Sequence, residues 1–167
     1  PLSSSIKKNY YAADTPRSTA PVIGLDEESG LSIDTITTVT RIKALKNTIN
    51  YYNYLNPHFA YSSSAPTGSQ PGSRDFEYIE LGLISIPSIF YGKNIKKGTV
   101  NLKFYYTGSW IGQARDTARN GVLYETSGTQ VGQAIGLVLY NEGMIILTAS
   151  YDLGAAGEYA DNYIGTG

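Results

Sequence analysis

The chain has 167 residues, a length that suits one domain with one hydrophobic core. Its 13 basic and 14 acidic residues give a formal net charge of -1. Direct binding of nucleic acid is therefore not expected, because gripping phosphates requires clustered cations. With no cysteine and a single histidine, the chain also lacks the ligands for thiolate or multi-histidine metal centres.

The composition departs from the average in a direction that favours assembly. Charged residues make up only 16% of the chain, while there are 15 tyrosines and 18 glycines. Tyrosine combines an apolar ring with a hydrogen-bonding hydroxyl, which suits surfaces shared between subunits. The longest apolar stretch, residues 134–149, is interrupted by Asn141-Glu142-Gly143 and is too short to cross a bilayer. We therefore expect a homo-oligomer with no membrane partner.

Residues 1–34 show no sustained periodicity and contain three prolines among Ser, Thr and Asp. They form either a loosely ordered terminus or an extended arm that lies on a neighbouring subunit. On the second interpretation, Val22, Ile23 and Leu25 are the apolar anchors of the arm and the first candidate interface residues.

The remaining residues, 35–167, are predicted to form one β-rich structural domain that begins with a helix over about 38–55. The apolar residues Ile42, Leu45, Ile49 and Tyr52 recur at spacings of three and four, which places them on one helical face. Asn56-Pro57 ends the pattern, because a residue before proline avoids the α region. The helix is expected to pack on a sheet.

Three tyrosines close this helix and form the second set of candidate interface residues. They are Tyr51, Tyr52 and Tyr54. Packing or subunit contact is the preferred interpretation of this cluster, ahead of ligand binding.

After a polar loop at 60–75, the pattern changes to a period of two and predicts strands over 76–151. In the clearest strand, Leu102, Phe104 and Tyr106 alternate with polar residues. A hairpin turning at Asn141-Glu142-Gly143 ends the series. About seven short strands predict a mainly β fold: an antiparallel β-sandwich or barrel-like domain with one packed α-helix and an extended N-terminal arm.

The sequence contains few residues that could act in catalysis. His58 follows the predicted helix beside Pro57, and the sequence has no G-x-S-x-G motif. Glu77 and Glu80 would face opposite sides of a strand, so they do not form the facing pair that glycoside hydrolysis needs. No catalytic, cofactor-binding or metal-binding residue is predicted, and we expect the chain not to be an enzyme.

Three aromatic residues of the strand region offer an alternative. Trp110, Tyr105 and Tyr124 could stack sugar rings on an exposed sheet face, although filling the core or an interface is the preferred interpretation. The alternative function is therefore a carbohydrate-binding or host-adhesion module.

Several segments of the chain share their sequence pattern with known proteins. They are LKNT (45–48), LNP (55–57), ISIPSIFYG (84–92), IKKG (95–98), VNLKFYYTG (100–108), NGVL (120–123), VLYNEG (138–143) and ILT (146–148). These segments resemble a family of tailed-phage virion structural proteins common in marine phages. The resemblance as a whole covers roughly residues 42–153, about two thirds of the chain. The resemblance implies a virion component that binds copies of itself and other virion proteins in the capsid, neck or tail.

Overall fold

The computed structural model of the chain describes residues 4–11, 42, 44–61, 76, 79–149, 151, 153, 163 and 164. One short helix, α1 (Lys46–Tyr51), continues into a 3-10 turn at Tyr52–Tyr54. Two further 3-10 turns cover Pro57–Phe59 and Ser88–Phe90. The strands in these residues are β1 (Lys7–Tyr11), β2 (Leu81–Ser85), β3 (Asn101–Tyr106), β4 (Ser109–Arg115), β5 (Val122–Ser127), β6 (Ala134–Leu139) and β7 (Met144–Leu147).

All seven strands belong to one antiparallel sheet with the order β1-β2-β7-β6-β5-β4-β3. Strands β3 to β7 form a meander of hairpins, whereas β2 pairs with β7 and β1 adds to the outer side of β2. The sheet curls into a half-barrel. The mainly β, barrel-like prediction with one packed helix is confirmed, as a single curled sheet rather than two stacked sheets.

The curl has a local cause in the meander. The register shifts by one residue at Phe104/Tyr105, at Gln113/Ala114 and at Leu123/Tyr124. An extra residue on one strand of a pair bends that strand and increases its twist. Three such shifts in successive strand pairs bend the β3–β6 side of the sheet.

The helical segment covers one face of the sheet near the β6–β7 turn. Ile49, Tyr52 and Phe59 are buried, and the rings of Tyr52 and Phe59 stack with centroids 5.5 Å apart. A Cβ atom on Gly121 would lie 2.7 Å from the Phe59 ring, so glycine is needed where the turn before β5 meets this segment. Its φ of 81° also suits glycine.

The C-terminal part of the predicted helix can be followed in the structure. The pattern indicates a helix over about 38–55; residues 38–41 and 43 lie outside the described residues, Ile42 and Ala44 are helical, and α1 gives way to the 3-10 turn at Tyr52. Asn56 is fully extended before Pro57, and its side chain accepts the backbone N–H of His58 at 2.9 Å. The proline therefore ends the helical segment as expected, and a second 3-10 turn follows it.

A second group of residues that packs against the strands comes from near the C-terminal end of the sequence. We call Tyr151, Leu153, Tyr163 and Ile164 the C-terminal strap. The Tyr163 ring contacts the Phe104 ring of β3 edge-on, with the ring centroids 4.6 Å apart. The backbone carbonyl oxygen of Tyr163 accepts a hydrogen bond from the Lys8 ammonium group of β1 at 3.0 Å. Because these strands are the two edges of the sheet, the strap lies inside the curve of the half-barrel.

The predicted arm is in part a strand of the sheet. Five residues of the 1–34 segment form β1, which pairs with β2 of the same chain from Lys7↔Ser85 to Tyr11↔Leu81. Polar Lys7, Lys8 and Asn9 do not resemble a core strand, but an edge strand tolerates them. The proposed anchors Val22, Ile23 and Leu25, and the loop residues 62–75, lie outside the described residues.

Candidate functional site

Two surfaces of the half-barrel expose large apolar or aromatic side chains, and they lie at opposite ends of the strands. The first surrounds the β6–β7 turn, where β2 ends and β5 begins. The second lies beside the β3–β4 turn, at the end where β5 finishes and β6 begins. The antiparallel order of the strands fixes this separation.

We call the first surface the apolar end and define it as Tyr51, Tyr54, Ile89 and Phe90. Their exposed fractions are 67%, 70%, 56% and 56%, respectively. The Tyr51 and Tyr54 rings make an edge contact with centroids 5.9 Å apart. Ile89 and Phe90 occupy the 3-10 turn after β2. Pro87 precedes this turn and closes β2.

Both parts of the apolar end are anchored to the same β6–β7 turn. The Tyr52 hydroxyl donates to Glu142 Oε2 at 2.8 Å and accepts the Asn141 backbone N–H at 3.1 Å. On the other side, the Tyr91 ring packs so closely on Gly143 that a Cβ atom there would lie 2.3 Å from the ring. The apolar end therefore rests on a well-packed support.

Tyr52 itself is not a surface residue. Of the three tyrosines predicted as interface residues, Tyr52 is 2% exposed and packs inside the chain, whereas Tyr51 and Tyr54 face outward. Burial, offset in part by the Asn141 hydrogen bond, raises the pKa of Tyr52 to about 12. The helical spacing that placed Tyr52 on the apolar stripe is the signal that identifies it as core.

The second surface is the outer face of the β3–β4 hairpin, which we call the hairpin face. Its members project from the side of these strands that faces away from the strap. They are Asn101, Lys103, Tyr105, Trp110, Gln113 and Arg115.

Tyr105 and Trp110 are direct neighbours across the two strands, and both are more than half exposed, at 60% and 51%. The Trp110 indole N–H donates to the carbonyl oxygen of Gly112 at 3.0 Å. This bond ties the ring along its own strand. The sequence identified both rings as candidates for stacking, and the structure brings them together.

Polar side chains continue the hairpin face toward the other end of the strands. Lys103 lies opposite Gln113, and Asn101 lies opposite Arg115. The Gln113 amide donates to Asn101 Oδ1 at 2.7 Å, which orients both amides. The sequence did not single out these four residues, although the alternation that exposes Tyr105 also exposes Lys103 and Asn101.

The third candidate stacking residue lies apart from the aromatic pair. Tyr124 in β5 is half-buried and stands opposite Arg115, at the far end of the hairpin face from Trp110. Tyr105 and Trp110 thus form one aromatic platform. Tyr124 lies beside the polar part of the face.

Two carboxylates are buried beneath tyrosine hydroxyls. Asp116 is fully buried, and its Oδ2 accepts the Tyr140 hydroxyl and the Gly98 backbone N–H, the latter at 3.0 Å. Burial, together with the bond to the Asp116 carboxylate, raises the pKa of Tyr140 above its ordinary value. The tyrosine thus stays a neutral donor across the ordinary pH range.

Glu125 is the second buried carboxylate and faces the strap. Its oxygens accept the Tyr151 hydroxyl and the Gln130 backbone N–H, the latter at 2.7 Å. The Tyr163 hydroxyl lies near this carboxylate without closing a hydrogen bond of ordinary geometry. Burial first, and the negative carboxylate second, raise the pKa of Tyr151 and Tyr163. Glu125 thus joins the meander to the strap.

Within the described residues, no three His, Asp or Glu side chains are close enough to hold a metal ion. In the same part of the chain, no helix has the length and hydropathy needed to cross a membrane. His58 is half-buried in the 3-10 turn after α1.

The comparisons with known proteins return no relative. No model of a known protein family matches the chain. No curated protein and no solved structure matches it either. Its function must therefore be argued from the surfaces described above.

Proposed function

We propose that this chain is a structural protein of a tailed-phage virion, in the capsid, neck or tail, and that it works by assembly rather than by catalysis. Residues 42–153 resemble virion structural proteins, which supports the virion part of the proposal. The assembly part rests chiefly on the apolar end. Its partners are copies of this chain and other virion proteins.

The apolar end has the properties of a protein contact surface. Single exposed apolar residues are normal, but a group of them at one site marks an interaction surface. Here four large side chains flank one turn, and two are tyrosines, a residue type enriched at interfaces. The anchoring of this surface by Tyr52 and Tyr91 reduces the conformational entropy that binding would cost.

The edges of the sheet are less suited to assembly. Exposed lysines stand on both edge strands, Lys7 on β1 and Lys103 on β3. Charged side chains on an edge oppose its pairing with a strand from another molecule. We therefore assign subunit contact to the apolar end rather than to edge-strand pairing.

Light scattering on the purified full chain tests this assignment. We expect a defined oligomer for the wild type and dissociation for Tyr54→Ser and Phe90→Ser. Val131→Ser is the matched control, because Val131 is 64% exposed in the turn between β5 and β6, at the opposite end. A monomeric wild type, or equal dissociation by the control, would refute self-assembly through the apolar end.

The proposal that the chain is part of the virion needs a separate test. Mass spectrometry of purified particles should detect this chain if it is a virion component. Its absence from intact particles, together with its presence in infected cells, would count against the virion part of the proposal.

A second candidate function is a carbohydrate-binding or host-adhesion module, and the position of Tyr105 and Trp110 favours it. The two exposed rings stand side by side on a sheet face, away from the apolar end. Aromatic faces of this kind can stack on the C–H faces of sugar rings. Trp110→Ala should lower the affinity for glycans by about tenfold and leave the oligomer intact.

A further inference from the structure

We infer that the hairpin face is a binding site for an acidic oligosaccharide. The sugar rings stack on Tyr105 and Trp110, and the carboxylate groups pair with Lys103 and Arg115. This inference rests on the second candidate function, which it deepens by naming the ligand class and the residues that recognise its charge.

The geometry of the hairpin face sets out three successive rows. The first row is Tyr105 with Trp110, the second is Lys103 with Gln113, and the third is Asn101 with Arg115. Residues two apart on a strand are separated by about 7 Å, and neighbouring strands by about 5 Å. The face is therefore a strip about 14 Å long, aromatic at one end and polar at the other.

The aromatic row is prepared for stacking before any ligand arrives. The hydrogen bond from the Trp110 indole to Gly112 holds the ring, which remains 51% exposed. The strand alternation directs Tyr105 outward beside it. A ring that is already held in place loses little conformational freedom when a ligand stacks on it.

The polar rows indicate the charge of the ligand. Lys103 and Arg115 are both exposed, and the strip contains no acidic residue to neutralise them. A guanidinium group can bind a carboxylate through two parallel hydrogen bonds. The amides of Gln113 and Asn101 bond each other at 2.7 Å, and their remaining donors and acceptors suit sugar hydroxyls.

A single-stranded nucleic acid offers a competing combination of stacking and negative charge. Proteins that bind single-stranded nucleic acid combine aromatic side chains, on which the bases stack, with a long basic groove that follows the phosphates. This strip has two cations, and the whole chain has a formal net charge of -1. Two cations beside an amide pair suit a short acidic sugar better than a polyanionic backbone.

Calorimetric titration of the full chain tests the inference with defined probes. The acidic probes are hexagalacturonate, hexamannuronate and a sialic acid trimer. Fully methyl-esterified hexagalacturonate is the neutral control, and a twelve-residue oligothymidylate represents nucleic acid. We expect binding of at least one acidic probe, weaker binding of the ester and none of the oligothymidylate.

Two variants separate the roles of stacking and charge. Trp110→Ala should lower affinity for acidic and neutral sugars alike by about tenfold. The pair Lys103→Gln with Arg115→Gln should lower affinity for the acidic probe by about tenfold or more and leave the ester unchanged. The charge-matched control is Lys93→Gln with Lys96→Gln, both exposed in the loop before β3.

The outcomes distinguish the inference from the function on which it rests. Equal binding of the acid and its ester overturns the acidic ligand class and leaves the carbohydrate-binding function standing. Binding of no sugar overturns both. Tighter binding of the oligothymidylate than of any sugar identifies a nucleic-acid site instead, and equal losses in the control pair show that the cations act only through net charge.

Discussion

The ammonium nitrogen of Lys8 lies 5.6 Å from the centroid of the Phe104 ring, although β1 and β3 are the opposite edges of the seven-stranded sheet. The same nitrogen donates to the Tyr163 carbonyl oxygen at 3.0 Å. One side chain thus connects both edges and the strap. The curl of the half-barrel is stabilised across its opening by contacts between the first strand, the third strand and the C-terminal strap.

Replacing Lys8 with methionine should therefore weaken the fold. The aliphatic stem is retained, but the cation–π contact and the hydrogen bond are lost, so we expect a loss of about 1 kcal/mol in the free energy of unfolding. Urea denaturation measures it. Lys7→Met is the control, because Lys7 projects to the other face of β1. Equal unfolding midpoints for the two variants would contradict the bridging role of Lys8.

Glycine at position 112 makes room for the strap. A Cβ atom there would lie 3.0 Å from the Tyr163 hydroxyl oxygen and 3.4 Å from Leu153. Gly112→Ala should destabilise the protein by about 1–3 kcal/mol, the usual cost of overpacking. Thermal unfolding measures the change.

Adding Tyr163→Phe should restore part of the stability that Gly112→Ala removes. The Tyr163 hydroxyl is buried without a hydrogen-bond partner among the described residues, so its removal should leave stability unchanged or raise it. It also removes the atom that the new Cβ meets. Gly112→Ala should therefore cost less in the Tyr163→Phe background, and an unchanged cost would show that the strap does not lie against Gly112 in solution.

The bond between Glu125 and Tyr151 should be measurable as a coupling energy. Glu125→Gln, Tyr151→Phe and the double variant form a cycle that isolates the pair. We expect a coupling of about 1.5 kcal/mol or more, because the acceptor is a buried carboxylate. Chemical denaturation of the four proteins provides the values. Additive effects would mean that the strap does not rest on Glu125.

Alkaline pH should unfold the protein through its buried tyrosines. The pKa of Tyr52 is raised by burial from its ordinary value of 10.0 to about 12 in the folded protein, so the folded state favours the neutral form. This contribution to stability is complete below pH 10 and is lost as pH rises from 10 toward 12. Burial raises the pKa of Tyr140, Tyr151 and Tyr163 in the same direction.

Urea midpoints measured at increasing pH, with tyrosinate absorbance recorded in parallel, test this expectation. The midpoint should stay level at mildly alkaline pH and fall above about pH 10. Tyr52→Phe should reduce the steepness of that fall, because one of the groups that link folding to pH is absent. A midpoint that is level through pH 11 would contradict the burial of these hydroxyls.

The strands of the meander were predictable because their side chains alternate. Asn101, Lys103 and Tyr105 are exposed while Leu102, Phe104 and Tyr106 are half-buried, as the sequence pattern indicates. The last hairpin, with its turn at Asn141-Glu142-Gly143, was also predicted, and its second strand, β7, ends at Leu147. Period-two patterning is a local property, so it can be read without knowing what packs against the strand.

Features that depend on distant contacts were not predictable. The strap shows no periodicity, and nothing in the sequence near Gly112 indicates that Tyr163 would pack there. Glu125 and Asp116 resemble surface residues by type, since isolated acids are rarely buried. Their tyrosine partners lie 26 and 24 residues away in the sequence. Only part of the hairpin face was predicted. Trp110 and Tyr105 stand out in the sequence as large aromatic residues, whereas nothing about the residue type of Gln113 indicates a binding site.

The neighbour relationship between β2 and β7 has a consequence for how the protein is made. As the chain leaves the ribosome, β1 can pair with β2 and β3 to β6 can pair with one another, but the second side of β2 stays open until β7, the last of the described strands, has emerged. Leu81 and Leu83, buried in the finished sheet, are uncovered during that interval. Translation that stops before Met144 leaves an apolar strand without its neighbour, a form prone to aggregate.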